Sequence, residues 1–575
     1  MNDKTSSADT QQPTTRLGPW PLILALLAWV AIAWFAWYRY QPPAVVSADA
    51  DPARFSAERA EVFLERLYRN AEPHPAGNND EFRQQLIREF EQLGYSVELH
   101  RCQSASRNRR APRDKLISLA NMIIRLEGKS SRQPVMLAAH YDSVPDSPGA
   151  ADDGSAVCVV LEIARMLASE PQPERTIIFF LSDGEEFGLL GARKFVEEHT
   201  LSGQIAAVIN LEARGTSGPS LLFETSENSR WLVNLFARCS RRPFTSSLFY
   251  EIYKTLPNNT DFTVFRDHGM QGLNFAFIGD VRHYHTPDDN FENVNRRSIQ
   301  HHGEHALELV RQLSHMEIEN QRGGRAVYFD VMGMGVVRWP AELSIALAVL
   351  GGLLSIWLFR PGSGDESAAG FSRGSRILGN GLGLLGLLIC IGAGLLLQFG
   401  LSLDGALDSP WPNWPLPLIL SWWLLGLVVL LGLGWWLADR IGWQDVWLGV
   451  WGLWATVAVV SSVLLNGASY LWIVPLLITG VFALLATLFG QPRWSIVAVL
   501  VSSTLAVAII WLPMEPLFYD AVGFNLNSVL IGRVALSLLA FLPLIVATNR
   551  RVVSVLLLVA LAAWVVSVMA SVIMN

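Results

Sequence analysis

Residues 135–157 read VMLAAHYDSVPDSPGAADDGSAV, and this stretch decides the fold class of the N-terminal half of the chain. Its first five residues are apolar, which predicts a short buried strand that ends just before His140. A polar segment rich in Pro, Gly and Asp follows, and a new apolar periodicity from Ser155 predicts a helix. A strand, a loop and a helix in this order are typical of α/β proteins, in which functional groups collect at the carboxyl ends of the strands.

The same alternation extends to both sides of this stretch. Further buried strands are predicted at 122–126, 176–181, 206–211 and 273–278, and helices at 60–70, 81–93, 155–169, 189–199, 229–239 and 298–315. We therefore expect an α/β domain over residues 55–316, with a mixed, largely parallel sheet flanked by helices. Residues 326–339 (AVYFDVMGMGVVRW) predict two short strands, so that residues 317–340 would connect this domain to the C-terminal part.

The C-terminal part has the composition of a multi-span α-helical membrane domain. Hydrophobic residues make up 51% of the chain and charged residues 17%, and the apolar residues concentrate after residue 341. A bilayer requires runs of roughly 20 apolar residues. We predict a cytosolic tail at 1–18, an uncleaved anchor at 19–38 that is too long for a signal peptide, and about eight spans within 341–575. The predicted spans are 341–358, 377–399, 415–437, 446–465, 471–489, 494–512, 528–547 and 552–574.

The charges between these spans predict an orientation. With the N-terminus inside, the loops predicted to be cytosolic carry Arg360, Arg373, Arg376, Arg440, Arg493, Arg550 and Arg551. The loops predicted to be outside carry Asp404, Asp408, Glu515 and Asp520, with no Lys or Arg. Short loops rich in Arg face the cytosol, so the α/β domain is expected on the non-cytosolic side. We expect a bacterial inner membrane with this domain in the periplasm; an organelle membrane with a lumenal domain is the alternative.

The remaining composition excludes other classes of protein. The net charge is −7, and the one dense basic stretch away from the membrane flanks, 107–115, is short and isolated, so nucleic-acid binding is not expected. The four cysteines form no CxxC pair, which argues against a thiolate zinc site or a disulfide scaffold.

Five segments carry chemistry, most of them at or just past the end of a predicted strand. They are AAHYD (138–142), GAADDGSAV (149–157), IIFFLSDGEE (177–186), VINLE (208–212) and VRHYHTPDDN (281–290). Together they offer His140, Asp152, Glu185, Glu186, Glu212 and His285. Two histidines with several carboxylates and no cysteine form a hydrolytic zinc ligand set, and the surplus of carboxylates suggests two metal ions that share a bridging ligand.

The order of these motifs resembles the co-catalytic zinc aminopeptidases of metallopeptidase family 28, which also contains glutamate carboxypeptidase and glutaminyl cyclase. The patterns H-x-D, G-A-x-D-D-G-x-A, D-G-E-E-x-G-L-L-G and Y-H-T-x-x-D carry the resemblance across roughly residues 60–315. The joining segment YFDVMGMGVV, followed by the apolar spans, is similar to the membrane-bound branch with the endoplasmic reticulum metallopeptidases and fungal vacuolar membrane proteases.

The resemblance implies a role for each position. Asp152 would bridge two Zn²⁺ ions, His140 and Glu212 would complete one site, and Glu186 and His285 the other. Many soluble members have Asp where this chain has Glu212. Glu185 would act as the general base, and Tyr284 would stabilise the oxyanion. The resemblance also implies a cis peptide between Asp152 and Asp153. From strand geometry, Asp142 is expected to accept a hydrogen bond from the His140 ring.

Several alternatives stay open. The expected activity is aminopeptidase action on a peptide or protein substrate. The alternatives are a carboxypeptidase, a glutaminyl cyclase, a receptor with an inactive peptidase domain, and a peptidase accessory to a transporter. Arg214 could meet a substrate carboxylate or form a structural ion pair. Arg533 could snorkel to the interface or mark an intramembrane polar site. The trio His301, His302 and His305 is expected on a solvated helix face.

Overall fold

A computed structural model describes residues 16–105, 116–256, 258–318, 321, 323–357, 373–403 and 410–574. The basic stretch at 107–115 and the charges Arg360, Asp404 and Asp408 lie outside these residues. The described residues form an α/β domain, a strand hairpin and a helical bundle, in this order along the chain, and a single N-terminal helix precedes them.

The α/β domain contains seven strands and eight α-helices in its described residues. The strands are β1 (Val97–Ala105), β2 (Leu116–Leu126), β3 (Val135–His140), β4 (Ile177–Ser182), β5 (Ala207–Ala213), β6 (Leu221–Thr225) and β7 (Gly272–Phe277). The helices are α2 (Ala57–Tyr68), α3 (Asp80–Gln92), α4 (Gly154–Ala168), α5 (Leu190–Glu198), α6 (Arg230–Cys239), α7 (Ser247–Tyr253), α8 (Asp261–Asp267) and α9 (Arg296–His315).

The seven strands form one mixed sheet in the order β1-β2-β4-β3-β5-β7-β6. The four central strands are parallel, whereas β1, β2 and β6 join antiparallel at the two margins. The expected α/β fold with a largely parallel sheet is therefore confirmed. Strands β1 and β6 were not predicted, and β2 begins six residues earlier than the apolar run suggested because its first residues alternate between exposed and buried.

Apolar packing holds helices on both faces of this sheet. One large core cluster joins α2, α4 and α9 to one face, and a smaller cluster joins α5 and α8 to the other. Helix α5 lies so close to the end of β4 that a Cβ added at Gly191 would lie 2.3 Å from the Asp183 carbonyl oxygen. This close approach requires a glycine, and it fixes the loop that carries the Gly184–Glu186 motif.

The three histidines of α9 are buried, so the expectation of a solvated helix face is wrong. His301 contacts the Arg242 carbonyl oxygen at 2.8 Å, His302 the Ser220 hydroxyl at 2.8 Å, and His305 the Ser240 hydroxyl at 3.0 Å. Burial lowers the pKa of His302 and of His305 to about 3, so both rings are neutral and serve as interior hydrogen-bonding groups.

The hairpin of β8 (Ala326–Asp330) and β9 (Val336–Pro340) connects the α/β domain to the bundle. Its turn is held by the N-terminal helix α1 (Trp20–Tyr40), since the Arg39 guanidinium donates to the carbonyl oxygens of Met332 and Gly333 at 2.9 and 2.7 Å. The N-terminal helix therefore meets the middle of the chain at this hairpin.

The bundle contains helices α10 to α19 among the described residues. They are α10 (Ser344–Trp357), α11 (Arg373–Leu403), α12 (Pro415–Leu437), α13 (Trp443–Leu464), α14 (Tyr470–Leu488), α15 (Arg493–Trp511), α16 (Met514–Val522), α17 (Asn527–Leu539), α18 (Leu542–Ala547) and α19 (Arg550–Met574). Six segments are long and apolar enough to cross a bilayer: α1, α12, α13, α14, α15 with α16, and α19.

Three predicted spans correspond to shorter apolar helices, Ala341–Ser355, Leu387–Ser402 and Val529–Leu539. The span predicted at 528–547 corresponds to two helices in the structure, α17 and α18. The division falls just before Pro543, which has no backbone N–H to continue a helix and is favoured in a first turn.

Arg533 on α17 is buried and does not snorkel to a surface. Its side chain is 2% exposed, forms an ion pair with Glu515 and lies over the Phe518 ring. The structure therefore favours a polar site inside the helical bundle over snorkelling, and the partner of Arg533 comes from α16.

Charged residues at the two ends of the bundle differ in what they contact. At one end, Asp439 pairs with Arg16 and Arg550, and Arg493 donates to the Arg16 carbonyl oxygen at 3.0 Å. At the other end lie the contacts with the α/β domain, including Tyr470 to Ser246 at 2.7 Å and Asn413 to Arg282 at 3.0 Å. The loops that carry Arg440, Arg493 and Arg550 are thus at the end away from the α/β domain.

Candidate metal centre

The sequence-predicted site residues meet at the carboxyl edge of the central strands. His140 is the last residue of β3, Glu212 lies near the end of β5, and Glu185 and Glu186 follow β4. Asp152 precedes α4, and His285 follows β7. Parallel strands direct their following loops to one edge, so five separate segments contribute to one site.

Asp152 lies between two groups of ligand-type side chains. Its Oδ1 is 3.1 Å from His140 Nε2, and its Oδ2 is 3.1 Å from His285 Nε2. Glu212 Oε2 lies 3.8 Å from His140 Nε2, and Glu186 Oε1 lies 2.8 Å from His285 Nε2. Each oxygen of Asp152 thus faces one histidine that is accompanied by one glutamate.

The His140 ring is oriented by the main chain. Its Nδ1 lies 3.0 Å from the Asp142 carbonyl oxygen but 3.6 Å from the Asp142 carboxylate, so the expected carboxylate acceptor is replaced by the backbone. An N–H at Nδ1 that donates to this carbonyl leaves the Nε2 lone pair directed at Asp152 and Glu212.

The Asp142 carboxylate instead positions the two adjacent glutamates. It accepts hydrogen bonds from the amides of Glu185 at 3.0 Å and Glu186 at 3.2 Å. Because both amides are fixed on one carboxylate, the two side chains leave the loop in separate directions: Glu186 contacts His285, and Glu185 lines a neighbouring cavity.

Amide side chains orient Glu212 along the sheet. Asn210, two residues earlier on β5, donates to Glu212 Oε1 at 3.0 Å and to the Asn274 side-chain oxygen on β7 at 3.0 Å. Residues two apart on a strand share a face, so this ladder directs the Glu212 carboxylate toward His140.

Three further acids support the site. Asp289, the last residue of the Y-H-T-x-x-D pattern, accepts from the amides of Ala151 at 2.6 Å and Asp152 at 3.2 Å. Asp153 accepts from the His140 amide at 3.2 Å, and the Asp152–Asp153 peptide is cis. Buried Asp261, at the start of α8, accepts a hydrogen bond from Ser182. Asp261 belongs to no motif, so the sequence reasoning missed it; only a helix-start signal could have marked it.

The electrostatics of the site fit bound cations. Burial raises the pKa of Glu186 to about 7 and of Glu212 to about 8. Burial alone would lower the pKa of His285, but Asp152 and Glu186 beside the ring raise it to about 9. A buried group of carboxylates and imidazoles is costly unless positive charge neutralises it. The triads His140–Asp152–Glu186 and His140–Asp153–Glu212 each bring their ligand atoms within 4.8 Å of one another.

A cavity of about 110 Å³ adjoins these ligands. Asp152, Glu185 and Glu212 line its polar end, together with Tyr284, whose ring stacks on His285. Its other walls are mostly apolar and include Leu221, Phe223, Phe249, Ile252, Leu256 and Ile278. Ala521 of α16 also lines it, so the helical bundle contributes to the cavity beside the site.

The family comparison agrees with the motifs. The model of peptidase family M28 matches residues 121–310, which include every residue of the two groups around Asp152. Over these residues the chain is similar to peptidase family M28. The resemblance to family 28 that the motifs indicate is confirmed, and relatives from the membrane-bound branch match as well.

Endoplasmic reticulum metallopeptidase 1 of Mus musculus is 33% identical over 235 residues, which is 39% of this chain and 26% of the mouse protein. The vacuolar membrane protease of Candida tropicalis is 36% identical over 217 residues, which is 37% of this chain and 24% of that protein. The match thus spans about a quarter of the length of these relatives. Among solved structures, an aminopeptidase from Aneurinibacillus sp. strain AM-1 aligns with 14% identity and a TM-score of 0.39, covering 48% of this chain and 98% of that one.

Proposed function

We propose that this chain is a membrane-bound metallopeptidase that holds two zinc ions and removes N-terminal residues from peptides on the non-cytosolic side of its membrane. Residues 55–316 would form the peptidase domain, 317–340 its connection and 341–575 the membrane domain. The observation that carries the proposal is the position of Asp152, whose two oxygens each face a separate His–Glu pair at 3.1 Å from the histidine.

The zinc ligands would be His140, Asp152 and Glu212 for one ion and Asp152, Glu186 and His285 for the other. When bound, the two ions supply Lewis-acid polarisation and lower the pKa of water toward about 7. The donor set contains only imidazole and carboxylate groups, which zinc accepts in hydrolytic sites. The surplus of buried carboxylates supports a count of two, because one divalent ion would leave several of them uncompensated.

The protein side chains would move the protons of the reaction. Glu185 would accept a proton from the attacking water and return it to the amine released when the peptide C–N bond breaks. Water adds its hydroxyl to the carbonyl carbon, so the products are an amino acid and a shortened peptide. The Tyr284 hydroxyl, at the polar end of the cavity, would donate to the carbonyl oxygen as negative charge develops on it.

The sidedness rests on where the bundle meets the domain. Arg440, Arg493 and Arg550 lie at the end of the bundle away from the α/β domain, which supports a cytosolic position for that end. The N-terminus would then be cytosolic and the peptidase domain periplasmic or lumenal.

The test uses purified full-length protein and three peptides: Leu-Gly, N-acetyl-Leu-Gly and Gln-Gly. An aminopeptidase should release leucine from Leu-Gly and leave the acetylated peptide intact, and a zinc chelator should abolish the reaction. Elemental analysis should give about two zinc ions per chain. Cleavage of the acetylated peptide would indicate a carboxypeptidase, and loss of ammonia from Gln-Gly without hydrolysis would indicate a cyclase. One zinc or none in protein never exposed to chelator would contradict the two-metal proposal.

A further inference from the structure

Arg214 lies on the same strand edge as a proposed zinc ligand. It follows β5 directly, and its amide donates to the Phe277 carbonyl oxygen of β7 at 3.0 Å, so the strand geometry continues through it. Residues two apart on a strand point to one face and are separated by about 7 Å. Glu212 and Arg214 therefore both line the cavity beside the site.

The Arg214 guanidinium has an incomplete set of partners. Its Nη1 donates to the Ala521 carbonyl oxygen at 2.9 Å, whereas its Nε is buried without a hydrogen-bond acceptor. Over the described part of the chain, no acidic side chain forms an ion pair with it. The structural ion pair considered from the sequence is therefore not what these residues form.

A cation in this position is costly for the protein alone. Arg214 is half-buried, the surrounding cavity wall is largely apolar, and a partly desolvated charge without a counter-charge is unfavourable. A carboxylate bound in the cavity would offset this cost, because a guanidinium binds carboxylates through two parallel hydrogen bonds. Of the described side chains that line the cavity, Arg214 is the one positive group, and the acids Asp152, Glu185 and Glu212 would repel a carboxylate.

We infer that Arg214 binds the C-terminal carboxylate of the substrate and makes dipeptides the preferred substrate class. This inference rests on the proposed peptidase function. One residue separates the scissile carbonyl of a dipeptide from its carboxylate, which spans about 3.5 Å, and a guanidinium–carboxylate contact adds about 3 Å. Arg214 and the proposed ligands Asp152 and Glu212 line the same cavity, so both ends of a bound dipeptide would lie in that one cavity.

The membrane domain positions this arginine. Ala521 lies at the end of α16, whose first turn carries Glu515, the ion-pair partner of buried Arg533. Asp520 of the same helix accepts a hydrogen bond from Tyr40 of α1. Helix α16 thus contacts two other helices, α17 and α1, and its Ala521 carbonyl oxygen holds Arg214 in the cavity.

The first test compares Leu-Gly with Leu-Gly-amide on the full-length enzyme. A charge-assisted contact of this kind should make kcat/KM for the free acid about 10- to 100-fold higher than for the amide. Arg214→Met should remove that preference and lower the rate on the acid to near that on the amide. Arg214→Lys should keep part of the preference, because it keeps the charge but loses the paired donors.

Arg282→Met is the matched control. Arg282 also links the α/β domain to the membrane domain, through Asn413 at 3.0 Å, but does not line the cavity. This variant should keep the acid preference of the wild type. Equal rates on acid and amide in the wild type, an unchanged preference in Arg214→Met, or its loss in Arg282→Met would each overturn the inference. Preference for an acidic first residue over leucine would do so too, since Arg214 would then bind a side chain.

A binding measurement separates this inference from the proposed function. Leu-Gly with a reduced, non-hydrolysable peptide bond should bind the wild type about 10- to 100-fold more tightly as the acid than as the amide by calorimetry. Arg214→Met should bind both equally. If the wild type cleaves no peptide but shows this binding difference, the proposed reaction fails while the carboxylate site stands. If it cleaves peptides without the difference, only the carboxylate site fails.

Discussion

Replacement of the adjacent glutamates, one at a time, tests the proposed division of roles between a base and a ligand. Glu185→Gln and Glu186→Gln preserve the shape of each side chain and remove its charge. The main chain should stay in place in both variants, because the Asp142 carboxylate holds the two amides at 3.0 and 3.2 Å and neither substitution touches it. Any difference between the variants then reports on the side chains.

The two variants should fail in different ways. Glu185→Gln should lower kcat by about 10²–10⁴-fold, or roughly 3–5 kcal/mol in barrier height, and should retain both zinc ions. Glu186→Gln removes a charged oxygen that lies 2.8 Å from His285 Nε2. Removal of a residue that hydrogen-bonds to a metal ligand lowers metal affinity by about 10–100-fold. Removal of a ligand itself should lower zinc affinity by at least that much, so this variant should release one zinc.

The assay is elemental analysis of protein purified without chelator, together with Leu-Gly hydrolysis before and after addition of zinc. Added zinc should partly restore Glu186→Gln and should leave Glu185→Gln inactive. Zinc loss in Glu185→Gln with two ions retained in Glu186→Gln would mean that the roles are exchanged. Full activity in both variants would refute the catalytic site itself.

Three further predictions concern the fold and the membrane domain. Gly191→Ala should destabilise the α/β domain by about 1–3 kcal/mol, because its Cβ would lie 2.2 Å from the Asn121 side-chain oxygen. Gly203→Ala is the control, since no atom lies within 4 Å of its added Cβ; a thermal midpoint unchanged by Gly191→Ala would refute the packing argument. Glu515→Gln should lower the free energy of unfolding by about 3–5 kcal/mol, because it leaves Arg533 buried without its ion-pair partner, whereas Glu515→Leu combined with Arg533→Met should lower it less. Thermal unfolding in detergent that ranks the two variants the other way would contradict the buried pair. In a background without native cysteines, exposed Ser131→Cys should react with an impermeant reagent in intact cells and exposed Arg440→Cys should not; the reverse pattern would invert the proposed topology.

Sequence patterns predicted the parts of the fold that depend on local periodicity. The strands with continuous apolar runs, β3 and β4, were found within one residue, because strands buried on both faces need such runs. Strand β1 (VELHRCQSA) was missed because it lies at the sheet margin, where polar side chains alternate outward. An edge strand is defined by the neighbour it pairs with, and that neighbour lies elsewhere in the sequence.

Polar residues could be predicted where they belong to a motif but not where a single residue is buried. The motifs identified the residues that meet at Asp152 because five segments occurred together in order. The buried His302 could not be predicted, since its partner Ser220 lies 82 residues earlier in the chain. Asp261 and its partner Ser182 are 79 residues apart. A single polar residue is buried only when a partner from a distant part of the sequence satisfies its hydrogen bonds. Its burial is therefore a property of the tertiary structure.

The contact between α1 and α15 has a consequence for how the protein is made. The Trp29 indole donates to the Thr504 carbonyl oxygen at 3.0 Å across 475 residues of sequence. At about 5–20 residues per second, a ribosome needs roughly 25–100 s to synthesise the intervening chain. During that interval α1 must reside in the bilayer without this neighbour, which its outward Trp20, Leu24, Leu27 and Trp34 side chains permit. The α/β domain follows this first helix in the chain, so it has time to fold while the helices after residue 341 are still being translated.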